Sequence, residues 1–181
     1  MGILEWLFSR SKEIKDVTLA QGAKDFIEGR KDVLTSADLD PEGDEKYRNY
    51  ELAMSLKKAG DLDGAAKLLI KSCEPPSIYK GHYRELFKIW RQLNREDLKK
   101  GHYNTVIDRV LKMIRLDDEM INEMLNYWGK QHRRKLPEKY FNNDRNLKIT
   151  DAKALLKAAK EINNEELVQK GSSLVEHLSD K

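Results

Sequence analysis

At 181 residues the chain is long enough for one substantial core, or for one core with an arm. Charged residues make up 36% of it and the net charge is +3. This suits amphipathic helices with solvated outer faces and is too mild to point to nucleic acid by itself. No run of about 18 apolar residues occurs, so no transmembrane helix is expected. Cys73 is the single cysteine, which excludes an internal disulfide, and a reducing cytoplasm is the expected compartment.

The first eight residues, Met1 to Phe8, are too short an apolar run for a secretory signal, and Glu5 comes too early. Trp6 stands where myristoylation needs Ser or Thr. Ile3, Leu4, Leu7 and Phe8 form an apolar patch followed by Arg10 and Lys12. Two turns of that kind suit either a staple on the protein's own core or, through residues 1–10, a membrane surface or a partner. Val17, Leu19, Ala20, Ala23, Phe26, Ile27 and Leu34 fall largely on one face, as in a helical arm. Thr35 to Glu45 then reads as an acidic linker with a proline and a glycine. Residues 1–45 are therefore taken as an N-terminal arm and linker, and 46–181 as one helical domain.

From Lys46 the chain is nearly all helix. Helices are predicted near 46–59, 62–73, 79–98, 103–116, 118–132, 151–162 and 165–178. Gly60, Pro75-Pro76, Gly101, Pro137 and Asn163-Asn164 separate them. Alternating β-branched runs are missing, so the fold class is all-α. Asp117-Asp118-Glu119 reads as an acidic helix opening, Thr150-Asp151 as the N-cap of a helix over Ala152 to Ile162, and Asn142 to Asn146 as a polar loop. Small residues of the last two helices, among them Ala154, Ala158 and Gly171, predict a close α-hairpin.

Residues 49–69 carry a pattern of their own. Asn49, Leu52, Ala53 and Leu56 precede Gly60-Asp61, and Ala65 and Leu69 follow. The spacing resembles the tetratricopeptide repeat, W-x2-L-G-x2-Y followed by A-x3-F. A second copy resembles it through Tyr83, Leu86, Phe87 and Trp90, then Gly101-His102-Tyr103, Val106 and Val110. This copy is longer by roughly seven residues, or two helical turns. Asn49 stands in place of the aromatic, Ala53 and Phe87 in place of glycine, and Val106 in place of alanine.

The resemblance implies antiparallel hairpins stacked as a short right-handed TPR-like solenoid, and a protein-binding adaptor that is not an enzyme. It also implies that the first helix of each hairpin lines a concave face. Tyr50, Met54, Lys57 and Lys58, then Arg84, Lys88, Arg91 and Gln92, would lie on that face. A groove so basic would take an acidic protein or peptide segment through Arg and Lys, with Tyr50 and Met54 adding apolar contact. The same cations also suit a helix face that is simply solvated.

Lys130, Arg133, Arg134 and Lys135 belong to the densest basic run, beside Tyr127, Trp128 and Tyr140. Cations interleaved with aromatics suit nucleic acid, the alternative function. The more economical reading makes Trp128 a core anchor at helical spacing from Ile121, Met124 and Leu125, with the basic run as a solvated helix end. Catalytic and metal patterns are poor. His82, His102, His132 and His177 stand alone, and no glycine-rich phosphate cradle is present. Cys73 reads as a small buried hydrophobe. No cofactor and no metal are expected.

Overall fold

The computed structural model describes Arg30 and residues 41–179. The N-terminal tip, the helical arm and Thr35–Asp40 of the linker lie outside the described residues. The chain divides into two units at Glu45/Lys46, and the account below concerns the second. Among the described residues there is no strand, and no helix is long and apolar enough to cross a membrane.

Six α-helices follow one another: α1 Pro41–Lys58, α2 Leu62–Cys73, α3 Lys80–Lys100, α4 Tyr103–Gln131, α5 Ile149–Glu161 and α6 Glu165–Ser179. A 3-10 helix, Glu138–Asp144, lies between α4 and α5. Each helix packs on the next from α2 to α4, and α3 and α4 both reach α5, which pairs with α6.

The first helix begins at Pro41 rather than Lys46, so the last five residues read as linker are helical. A proline is accepted in a first turn, where its missing N–H would have no partner, and Asp44 and Glu45 suit the positive end of the dipole. The start of α1 is tied to the end of α2. Ser72 Oγ donates to the Lys46 carbonyl at 2.9 Å, and Lys46 Nζ donates to the Pro75 carbonyl at 2.6 Å.

Ala53, Ala65 and Leu69 are fully buried in one core cluster. Leu52, which the repeat pattern puts on the packing face, is 54% exposed instead. The inward stripe of α1 runs through Lys46, Tyr50 and Ala53, one residue's rotation away. Gly60 turns α1 into α2 with φ +89, and Gly101 turns α3 into α4 with φ +76. Both are left-handed positions that a side chain would strain. Asp61 caps α2 by accepting the Gly64 N–H at 2.8 Å.

Tyr83, Leu86, Phe87 and Trp90 of α3 meet Val106 and Val110 of α4 in the core, all buried. The two extra turns lengthen α3, which runs unbroken. In α4 the two helices expected at 103–116 and 118–132 are one helix of 29 residues. Met113, Leu116, Met120, Ile121 and Met124 hold the buried stripe through the acidic triplet, and nothing there breaks the backbone. Asp117 is no helix opener: it is fully buried, and its Oδ1 accepts the Asn146 N–H at 2.7 Å. The polar loop expected at 142–146 is thus partly the 3-10 helix and partly a buried strap. Helix α5 starts at Ile149, so Asp151 sits within its first turn, accepting the Lys148 N–H at 2.9 Å.

At the α5–α6 crossing, a Cβ on Gly171 would lie 3.0 Å from the Leu156 Cα. Overpacking of this kind costs about 1–3 kcal/mol. Gly171→Val is expected to lower the melting temperature and to loosen α6 first. Circular dichroism melts with hydrogen exchange of residues 165–179 check this, and an unchanged melting temperature counts against the close crossing.

Candidate functional site

The residues expected on one basic groove divide into two groups. In the first, Lys57 of α1 and Lys88 of α3 converge on a single carboxylate. Glu85, itself buried, accepts Lys57 Nζ at 2.9 Å on one oxygen and Lys88 Nζ at 2.6 Å on the other, with Arg84 Nε 3.8 Å away. Burial opposes ionisation of Glu85, but hydrogen bonds from Lys88 and Lys57 outweigh it and hold the carboxyl below its usual range. One carboxylate thus sits among three cations and offsets one of their three charges. Met54 is half-buried and packs against the core, while Lys58 and Gln92 are exposed.

Tyr50 is occupied as well. Its ring stacks on His82 at 4.6 Å and 15°, and Tyr79 also stacks on His82, at 5.4 Å and 26°. His82 is buried, and its Nδ1 has no hydrogen-bond partner. Burial pushes the imidazole below its ordinary value and the nearby Lys46 charge adds to this, against a hydrogen bond with the Ser72 backbone.

In the second group, Arg91 turns away from the first. Its Nε donates to Asp151 Oδ1 at 2.8 Å and its Nη2 to Asp151 Oδ2 at 2.6 Å, while Nη2 also reaches the Asn146 carbonyl at 2.6 Å. This bidentate pair closes one end of a cleft of about 370 Å³ between α3 and α5. Leu98 and Ala154, half-buried, lie along it. Arg95, Lys153 and Lys157 line it from exposed positions. Among the described residues no carboxylate forms an ion pair with these three cations. Sequence reasoning missed all three. The signal available was the i, i+4 spacing of Lys153 and Lys157 in an alanine-rich helix, which means little until α3 is known to lie beside it.

The basic run after α4 is exposed throughout: Lys130, Arg133, Arg134 and Lys135 all face solvent. Trp128, read as a core anchor, is 39% exposed. The inward spacing does continue from Ile121 and Met124, but the buried stripe of α4 stops at Met124, and the last two turns overhang. Cys73 is fully buried, and burial pushes its thiol well up from its ordinary value, as in an unreactive site. Among the described residues no group of three or more His, Cys, Asp or Glu side chains is placed to hold a metal. Comparison of the chain with family models, with curated proteins and with solved structures gives no match.

Two expectations follow. Asp151 is almost fully buried, so Arg91→Met should cost about 3–5 kcal/mol by leaving its charge unpaired. Adding Asp151→Asn should recover part of that loss in chemical denaturation, because the amide oxygen still accepts the Lys148 N–H. For His82, the unfolded imidazole titrates near about 6.5 and the folded one lower. Between those values the unfolded chain binds more protons, so stability is present above the unfolded pKa and falls as the pH drops below it. Melting temperatures at neutral pH and near pH ~5 should differ more for the native chain than for His82→Phe.

Proposed function

We propose that residues 46–181 are a non-catalytic protein-binding adaptor, a short right-handed TPR-like stack of hairpins that seats an acidic segment of a partner protein. The reading rests on one observation: Arg95, Lys153 and Lys157 surround an apolar strip in the α3–α5 cleft with no carboxylate paired to them among the described residues. Alternating Asp or Glu with Leu would satisfy both parts of such a surface, the carboxylates taking the rim and the leucine resting on Leu98 and Ala154. Arg91 contributes by holding the two walls together. Lys57, Arg84 and Lys88 add a weaker positive surface around Glu85. Glycine turns at Gly60 and Gly101 and the buried pair Ala53 and Ala65 support the repeat-like stacking.

Charge is distributed accordingly. Residues 46–181 hold 28 Lys and Arg against 20 Asp and Glu, a surplus of eight positive charges, whereas residues 1–45 hold 6 against 11. A field of that sign favours encounter with acidic partners. The cytoplasm, where Cys73 stays reduced, is the compartment of this reading.

A labelled peptide of alternating Glu and Leu tests it by fluorescence anisotropy. Binding is expected at low salt and should weaken as the ionic strength rises from about 0.05 to about 0.3 M. Exposed ion pairs are worth about 0–1 kcal/mol each. Lys153→Ala with Lys157→Ala should therefore weaken binding by up to on the order of tenfold, and Lys88→Ala, which lies outside the cleft beside Glu85, by much less. Equal losses from both variants, or no binding at low salt, would falsify the cleft assignment.

A further inference from the structure

The overhanging end of α4 does not belong to the cleft, and its chemistry differs. Tyr127 and Trp128 are both exposed and meet edge to face, with ring centroids 5.2 Å apart at 88°. The imidazole of His132 stacks on the Trp128 indole at 6.1 Å and 26°. Tyr140, in the 3-10 helix, is exposed as well. Next to these rings in sequence are Lys130, Arg133, Arg134 and Lys135, all exposed, with no carboxylate ion-paired to them among the described residues.

The backbone folds this run back against the end of α4. The Arg133 N–H bonds to the Lys130 carbonyl and the Arg134 N–H to the Gly129 carbonyl. The Arg134 carbonyl sits so close to Gly129 that a Cβ there would lie 3.1 Å from it. The bend requires Arg133 at φ +51, a left-handed conformation that glycine or asparagine adopts most easily. The ends of α1, α3 and α5 use Gly60, Gly101 and Asn163 at their left-handed positions. Only α4, among the described helices, places an arginine there, at a conformational cost the other ends avoid.

We propose that this end of α4 is a second binding surface, and that its ligand is single-stranded nucleic acid. Every base presents a π-face, so Trp128 and Tyr127 can stack on bases without regard to sequence, while the four cations neutralise the neighbouring phosphates. A duplex hides its base faces and would engage only the cations. An acidic peptide would leave the rings unmatched. A membrane surface takes up a whole apolar helix face, with Leu or Phe beside the aromatics, and here Leu136 is buried.

The test uses the full chain and a fluorescein-labelled oligouridylate of about 15 nucleotides, read by anisotropy across a salt series. Binding is expected to weaken with salt at about −0.7 per phosphate contact in the logarithmic slope, and to exceed binding of a duplex of equal length. Trp128→Ala, at an exposed position, should lower the affinity roughly five- to hundredfold. Arg133→Gly should raise the melting temperature, flatten the slope by about 0.7 and weaken binding, so that stability and affinity move in opposite directions. Lys153→Ala with Lys157→Ala, on α5, removes as much charge as a pair of these cations and should have less effect on the oligonucleotide than Arg133→Gly with Arg134→Ala. The proposal is overturned if Trp128→Ala binds as tightly as the native chain, or if Arg133→Gly gains stability and keeps native affinity and slope. Tighter binding of the duplex, or capture by phosphatidylserine-containing vesicles with no binding of the oligonucleotide, overturns it too.

Discussion

Three helices, α3, α4 and α5, are tied together by one buried polar junction beside their shared apolar core. The peptide group and carbonyl of Asn146 stand at its centre. The N–H donates to Asp117 of α4, and the carbonyl accepts from Arg91 of α3, which in turn grips Asp151 in the first turn of α5. Arg145, next in the chain, reaches back to Asp117 and Asp118 and pairs with Glu138. Burial pushes the Asp117 carboxyl up from its usual range, and the Asn146 N–H and Arg145 work against that shift. Such an arrangement is specific more than it is strong: an apolar substitute of equal volume often does as well energetically, but it does not dictate which helix lies against which. Here the charges set the order in which the second hairpin and the C-terminal pair meet, and they thereby create the cleft whose closed end they form.

Local periodicity was the legible part of this chain. Helix α2 has the limits read from its spacing, 62–73, because Gly60-Asp61 and Pro75-Pro76 bracket it with backbone chemistry that acts at short range. The buried face of α3 and the first half of α4 were legible for the same reason. Where reading failed, a partner distant in sequence decided the outcome. A buried Asp117 and a solvated one look alike until Asn146, 29 residues away, is known to donate to it. Leu52 obeys the repeat spacing and still faces out, because Lys46 and Tyr50 set the rotation of α1 through bonds to the end of α2 and a stack on His82.

The candidate surfaces were harder for the same cause. Arg91 was singled out by its helix face, and its neighbours on the cleft, Lys153 and Lys157, are some 60 residues on, at the separation of the Arg91–Asp151 pair. Only the packing of α5 against α3 makes them one surface. Trp128 shows the opposite error. Its spacing continues an inward stripe, yet spacing carries no information about where the neighbouring helices end.

That overhang divides α4 into two stretches under different constraints. Up to Met124 every third or fourth side chain touches the core, and a substitution there is felt by the whole fold. Beyond it Leu125 is the last side chain of α4 on the core, and the rest of the helix is mostly exposed. Among residues 127–135 the constraint lies in the backbone, at Gly129 and at Arg133, and not in core packing. In a chain of this size, the exposed side chains of such a segment can be exchanged while the folding of the molecule stays as it was.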